Sequence, residues 1–223
     1  MNVVVTGASR GIGLELVKES LTTGDHVLAI ARQPQESKGL QELQKQFGKT
    51  LAVCAADVAH PEAADKVLSA VSSWNGIDVL INNAGVFRQG TKLEDFLESF
   101  QVNSVAPFFM TKALLPKLQK GQTPRVAQIT SLMGSIEDNG SGGSYAYRAS
   151  KAALNMINKS LAVENNWLMS VVVHPGWAKT DMGGSGAPVE PTESAGGIWK
   201  VIRGLKPSDS GGFFDFRGKT LPW

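Results

Sequence analysis

Residues 2–13 run Asn2-Val3-Val4-Val5-Thr6-Gly7-Ala8-Ser9-Arg10-Gly11-Ile12-Gly13. An apolar run gives way to a glycine-rich turn, and the turn to the start of a helix. Backbone N–H groups at a helix start have no partner within the helix, and the helix dipole favours negative charge there. Gly7 allows the tight turn. Gly11 lets the backbone approach a pyrophosphate, and Gly13 lets the helix pack on the strand. The Gly-x-x-x-Gly-x-Gly spacing differs from the commoner Gly-x-Gly-x-x-Gly dinucleotide pattern. A glycine turn by itself also ends plain strands. A second cluster far downstream, Tyr147-Arg148-Ala149-Ser150-Lys151, gives it weight.

Outward from this turn, apolar runs alternate with helical patterns. Strands are expected at 2–6, 26–31, 50–54, 78–82, 125–131 and 169–174, with a short last strand at 212–216. Helices are expected at 11–22, 34–47, 61–74, 92–119, 144–165 and 192–204. Such alternation predicts an α/β fold: one doubly wound, Rossmann-type parallel sheet of about seven strands, with helices on both faces. Ligands of such sheets bind beyond the carboxyl ends of the strands, near the topological switch point. The 223 residues suit a single domain over 1–223. Two Gly/Ser-rich stretches, 137–144 and 183–188, flank the expected site. Either can be a plain connection, and the second also fits a mobile lid.

Composition narrows the function. The net charge of +2 is too small to argue for nucleic acid or an anionic membrane as partner. No apolar stretch reaches the roughly 20 residues that span a bilayer. The chain opens almost at once on strand residues, leaving no room for a signal peptide, so a cytoplasmic location is expected. Cys54 is the one cysteine, which excludes an internal disulfide and argues against a Cys-based metal cluster. His26, His60 and His174 have no metal-ligand spacing, and no metal is expected. His174, before Pro175 at a strand end, suits a structural role.

Tyr147 and Lys151 are four residues apart on an expected helix and share a face; Tyr145 has no such relation to Lys151. A phenol titrates near ~10, and an adjacent ammonium lowers that value. A downward shift of about three units would correspond to roughly 4 kcal/mol of differential interaction. A tyrosine so tuned can donate a proton to a developing alkoxide. Alone, the pair reads better as a surface contact, because the spacing is common by chance. Ser131 alone can be a turn residue, Asn103 a helix-face amide, and Asn82-Asn83 turn chemistry. Taken jointly, these ordinary readings become poor.

From residue 2 to about 182 the chain resembles the short-chain dehydrogenases/reductases. The shared features come in order: the glycine turn, Asn82-Asn83-Ala84-Gly85, Asn103 on a helix, Ser131 at a strand end, Tyr147-x-x-x-Lys151 and Pro175-Gly176. The resemblance implies a catalytic set of Asn103, Ser131, Tyr147 and Lys151. Ser131 would hydrogen-bond the substrate oxygen and Tyr147 act as general acid or base. Lys151 would hold the nicotinamide ribose and bias Tyr147, and Asn103 would position a water relaying protons to Lys151. Ser131 and Tyr147 are 16 residues apart, a few more than in many members. Within the family, the stretch His174–Gly184 and the tail Gly211-Gly212-Phe213-Phe214-Asp215-Phe216 with Leu221-Pro222-Trp223 are similar to small carbonyl reductases of the C-factor/sniffer type. The implied substrate is a small carbonyl compound or the matching alcohol. A protein of the same fold serving signalling or structure, without significant catalysis, is the rival.

The cofactor is expected to be NADP, with NADPH preferred over NADH. An acidic residue at the end of the second strand would bind a ribose 2′-hydroxyl and reject a 2′-phosphate. The chain has Ala31-Arg32-Gln33 there instead, and Arg32 can grip a phosphate through two N–H groups. Arg10, in the glycine turn, adds a second cation. The cofactor-binding set implied by the resemblance is Gly7, Ser9, Arg10, Gly11, Ile12, Gly13, Arg32, Asp57, Val58, Asn83, Ala84, Gly85, Tyr147, Lys151, Pro175, Gly176 and Thr180. Asp57 and Val58 would sit against the adenine and Thr180 at the nicotinamide carboxamide. Trp177 and Met182 fit either a cleft lining or simple packing. Phe108, Phe109, Leu154, Met156, Ile157 and Leu161 give two helices more than one apolar face, beyond what lying on a sheet requires. Since family members dimerise through these helices, a homodimer or homotetramer is expected.

Overall fold

The computed structural model describes all 223 residues. Seven parallel strands form one sheet: β1 (Asn2–Thr6), β2 (His26–Ala31), β3 (Leu51–Ala55), β4 (Val79–Asn82), β5 (Arg125–Ile129), β6 (Met169–His174) and β7 (Phe213–Asp215). Their spatial order is β3-β2-β1-β4-β5-β6-β7. The order reverses between β1 and β4, which places the switch point beside the glycine turn.

The strands are apolar along their length because both faces are covered. Val3 and Val5 point into one core layer, Val4 into the other. The first layer packs under α1 (Gly11–Thr22), α2 (Lys38–Phe47) and α7 (Pro191–Gly204). Trp199 of α7 is fully buried there, and its indole N–H donates to the Leu16 carbonyl at 2.9 Å. The second layer lies under α3 (Ala63–Ala70) and α5 (Ala106–Leu118). Beside α5 runs α6 (Tyr145–Glu164), tied to β6 where the Ser170 hydroxyl donates to Asn158 at 2.6 Å.

Several expected boundaries move. The helix expected over 34–47 splits into a 3₁₀ turn, Pro34–Glu36, and α2, because Ser37 caps α2 by accepting from Leu40 N–H at 3.2 Å. The fifth strand ends at Ile129, two residues short of Ser131. The long helix expected over 92–119 is in fact α4 (Leu93–Phe100), a π turn (Gln101–Val105) and α5. Pro107 accounts for the break. It has no N–H for the Asn103 carbonyl four residues earlier, and its ring crowds that carbonyl, so the turn widens. Asn103 lies inside it. No helix is long and apolar enough to cross a membrane.

Candidate active site

The glycine turn leaves β1 and enters α1 with its backbone exposed to whatever lies above it. Gly7 has φ of +66°, and a Cβ there would stand 2.7 Å from Ala84 Cα. A Cβ on Gly13 would stand 2.2 Å from the Gly7 carbonyl oxygen, so only glycine closes this packing. Ala8 N–H hooks the turn to β2 through the Ile30 carbonyl at 3.0 Å, and the Ser9 carbonyl accepts from the Ser37 hydroxyl at 2.5 Å. No side chain caps the N-terminus of α1. The N–H groups of Gly11, Ile12 and Gly13 therefore face the space above the turn, as a pyrophosphate requires. The donor set fits a dinucleotide.

Asn83 and Ala84 serve this turn directly. The Asn83 amide donates to the Thr6 and Gly7 carbonyls at 3.0 and 3.1 Å. The Thr6 hydroxyl accepts from Asn83 and Ala84 N–H at 3.0 and 3.1 Å. The side chain of Asn83, expected among the cofactor contacts, is spent on holding the glycine turn in shape. Thr6 was missed in the sequence; a threonine closing an apolar strand carries no distinctive signal.

Ser131, Tyr147 and Lys151 meet beyond the carboxyl end of β5. Ser131 follows the strand, and its hydroxyl accepts from Met133 N–H at 3.1 Å. Tyr147 is 8% exposed, and Ser131 is the polar side chain that bears on its phenol. Lys151, one helical turn on, is buried, and its ammonium donates to the Ile129 carbonyl at 2.7 Å while lying 5.9 Å from the centroid of the Tyr147 ring. The edge of an aromatic pair closes the site: the Phe87 and Tyr147 rings are 4.7 Å apart at 86°.

The titration of this group corrects the sequence expectation. Burial pushes the Tyr147 phenol up to about 12, and Ser131 pulls the other way without offsetting it. A lowered value was expected. The ammonium that was to lower it is itself buried, which brings Lys151 down to about 7. His174 is also held neutral, near 4, by burial, against the opposing pull of Asp215 and Asp138. Its Nδ1 has no partner, and no cluster of acidic, histidine or cysteine side chains suits a metal.

Asn103 is fully buried, with its amide saturated by protein. Its carbonyl oxygen accepts from Val86 N–H at 2.8 Å; its NH₂ donates to the Val86 carbonyl at 2.9 Å and to the Ser150 hydroxyl at 3.0 Å. Ser150 in turn donates to the Tyr147 carbonyl at 2.8 Å. Ser150 was missed, although it sits inside the Tyr-x-x-x-Lys stretch. Gly85 packs between Asn103 and Lys151, where a Cβ would be 3.2 Å from the amide oxygen.

The remaining expected residues ring the same end of the sheet. Arg32, exposed just after β2, forms no ion pair. Arg10 pairs with Asp181 at 2.8 Å. Asp57 accepts from Ala59 N–H at 3.0 Å, and Val58 packs against the second core layer. Pro175 accepts from the Ser194 hydroxyl at 2.7 Å, and Gly176 turns the chain with φ of +78°. The Thr180 methyl lies 3.0 Å from where a Cβ on Gly11 would stand. The segment following Gly176 is folded onto the glycine turn and closed by a bridge between Ala178 and Val189.

Comparison with known proteins agrees with this geometry. Residues 1–189 match the model of the family described as short chain dehydrogenase. The chain belongs to this family. As a short-chain dehydrogenase, it is 45% identical over 154 residues to "C-signal" of Myxococcus xanthus, a match covering 66% of this chain and 93% of that protein. The structure of "Carbonyl reductase Sniffer of D. melanogaster" superposes with a TM-score of 0.95 at 34% identity, covering 100% of this chain and 99% of the other. An NADPH-bound carbonyl reductase from chicken fatty liver superposes with a TM-score of 0.91 at 36% identity, covering 100% and 98%. The family and its neighbours make this an oxidoreductase fold of the short-chain class.

Proposed function

We propose that the protein is an NADPH-dependent carbonyl reductase, converting an aldehyde or ketone to an alcohol or running the reverse. The observation that carries this reading is the meeting of Tyr147, Ser131 and Lys151 in a buried cluster beyond β5, next to the uncapped N-terminus of α1. A bound NADPH supplies hydride to the carbonyl carbon. Ser131 donates a hydrogen bond to the substrate oxygen and orients it. Tyr147 hands its proton to that oxygen as negative charge develops. Burial alone leaves the phenol protonated but a weak acid, so its proton is given up only as the developing alkoxide, a stronger base, forms against it. Lys151 sits beneath Tyr147 to hold the ribose. The Asn103 side chain is already occupied, so its backbone carbonyl, denied its ordinary helical N–H partner by Pro107, would be the group to hold a water for the proton path.

The cradle would hold the cofactor through Gly7, Ser9, Gly11, Ile12 and Gly13 at the pyrophosphate, Asp57 and Val58 at the adenine, Ala84 and Gly85 at the riboses, and Pro175, Gly176 and Thr180 at the nicotinamide. Arg32, which forms no ion pair, would take the 2′-phosphate, with Arg10 joining it from its pair with Asp181; the NADPH-bound structural neighbour supports this choice. The reading extends to one nucleotide-binding domain over residues 1–223, cytoplasmic, and assembled as a homodimer or homotetramer. Exposed Phe109 and Met156, on α5 and α6, support the assembly, whereas Leu154 and Leu161 turn inward to the core.

A second reading, a nucleotide-binding signalling protein with little catalysis, is favoured by one observation: the relative named "C-signal". Incubating the purified protein with NADPH or NADH and a panel of aldehydes and diketones separates the two. Turnover with NADPH preferred supports the reductase, and nucleotide binding without turnover across the panel overturns it.

A further inference from the structure

We propose that Phe87 is a positioning residue for Tyr147, covering the phenol ring against water and fixing its plane between Ser131 and Lys151. The inference rests on the reading of Tyr147 as proton donor. Its basis is a closed circuit of contacts. The Phe87 ring meets the Tyr147 ring at 4.7 Å, edge to face. Phe87 directly follows Val86, whose N–H and carbonyl are both held by the Asn103 amide. The same amide donates to Ser150, and Ser150 donates to the backbone carbonyl of Tyr147. One buried side chain thus fixes the segment bearing Phe87 against the helical turn bearing Tyr147. The two rings then touch because their backbones are locked to each other.

The circuit explains why Asn103 is fully buried and saturated. It also gives the half-buried Phe87 a use beyond packing, since it belongs to neither core layer. Lys151 is the titratable group set over the tyrosine ring. Arg88, next to Phe87, is drawn off to Glu98 at 2.6 Å, and Arg148, next to Tyr147, to Ser141 at 2.8 Å. The phenol therefore has apolar cover, one hydroxyl and the Lys151 amine around it, and that amine is already neutral where the phenol titrates. Removing the cover admits water, stabilises the phenolate and lowers the value at which the phenol titrates.

The chain has two tyrosines, so Tyr145→Phe leaves Tyr147 as the single one. Tyr145 is exposed and outside the site. In that background, tyrosine labelled with carbon-13 at the ring carbon bearing the hydroxyl gives one resonance to follow through an alkaline titration. Phe87→Ala and Phe87→Val should titrate below the parent by about one pH unit or more, the alanine variant lower. Phe87→Leu, which refills most of the apolar volume, should return close to the parent. In turnover, Phe87→Ala should lose roughly tenfold in kcat, with KM for NADPH little changed. A folded Phe87→Ala or Phe87→Val that titrates with the parent overturns the proposal. Full carbonyl reduction by Tyr147→Phe overturns the donor reading instead, and the resonance still reports whether Phe87 covers the ring.

Discussion

Replacing Lys151 by Met should remove a pH dependence of stability that its burial imposes. The ammonium sits inside the fold, donating to the Ile129 carbonyl at 2.7 Å, and burial moves it from 10.5 down to about 7. In the unfolded chain the lysine keeps its ordinary value. Between these two values the unfolded chain holds more protons than the folded one, so stability rises with pH. Above 10.5 the lysine's destabilisation is gone, and below about 7 both states are protonated and the penalty is constant. Within the window one proton is worth about 1.4 kcal/mol per pH unit. From about pH 7.5 to about pH 9.5, wild type should gain roughly 2–3 kcal/mol relative to Lys151→Met. Methionine is of similar length and apolar, so it refills the space. The lost donor to Ile129 costs about 1 kcal/mol at every pH and does not affect the slope. Tyr147, whose own window lies between 10 and about 12, does not interfere in this range. Urea unfolding of both proteins in the same buffers, without added nucleotide, gives the difference directly, because all other titrations cancel. Two stability curves that run parallel across the range refute the burial argument.

Tyr147→Phe removes one hydroxyl and should leave folding and NADPH binding intact while kcat falls by about 10²–10⁴; Tyr145→Phe, the matched control, should change little in steady-state reduction. Arg32→Asp should reverse the preference for NADPH over NADH, read as the ratio of kcat/KM values; an unchanged ratio rejects Arg32 as the phosphate contact. Asn103→Ala strands the Val86 backbone groups and should lower stability by roughly 1–3 kcal/mol in urea unfolding, with wild-type stability counting against the circuit around Phe87. Sedimentation at micromolar concentration should give a dimer or tetramer through the exposed faces of α5 and α6, and a clean monomer would sink that assignment.

The sequence by itself determined what is local. Val3, Val4 and Val5 declare a strand buried on both faces, and the first glycines declare the turn that follows, because backbone conformation and period are set by neighbours in the chain. The four-residue step from Tyr147 to Lys151 put both on one helical face for the same reason. Pro107 carried a local signal for the break in the 92–119 helix, and its effect on the Asn103 carbonyl is legible from covalent chemistry alone. Only the tertiary structure decided the rest. It fixed the strand order and brought Asn103, Ser131 and Tyr147, from three separate connections, to one sheet end. It turned the Asn83 amide onto the glycine turn and the Asn103 amide onto Val86. It also reversed the expected direction of the Tyr147 titration. A sequence shows that an ammonium and a phenol are near each other, which favours the phenolate. It does not show how much water each retains, and desolvation is set by side chains arriving from distant segments, Phe87 among them.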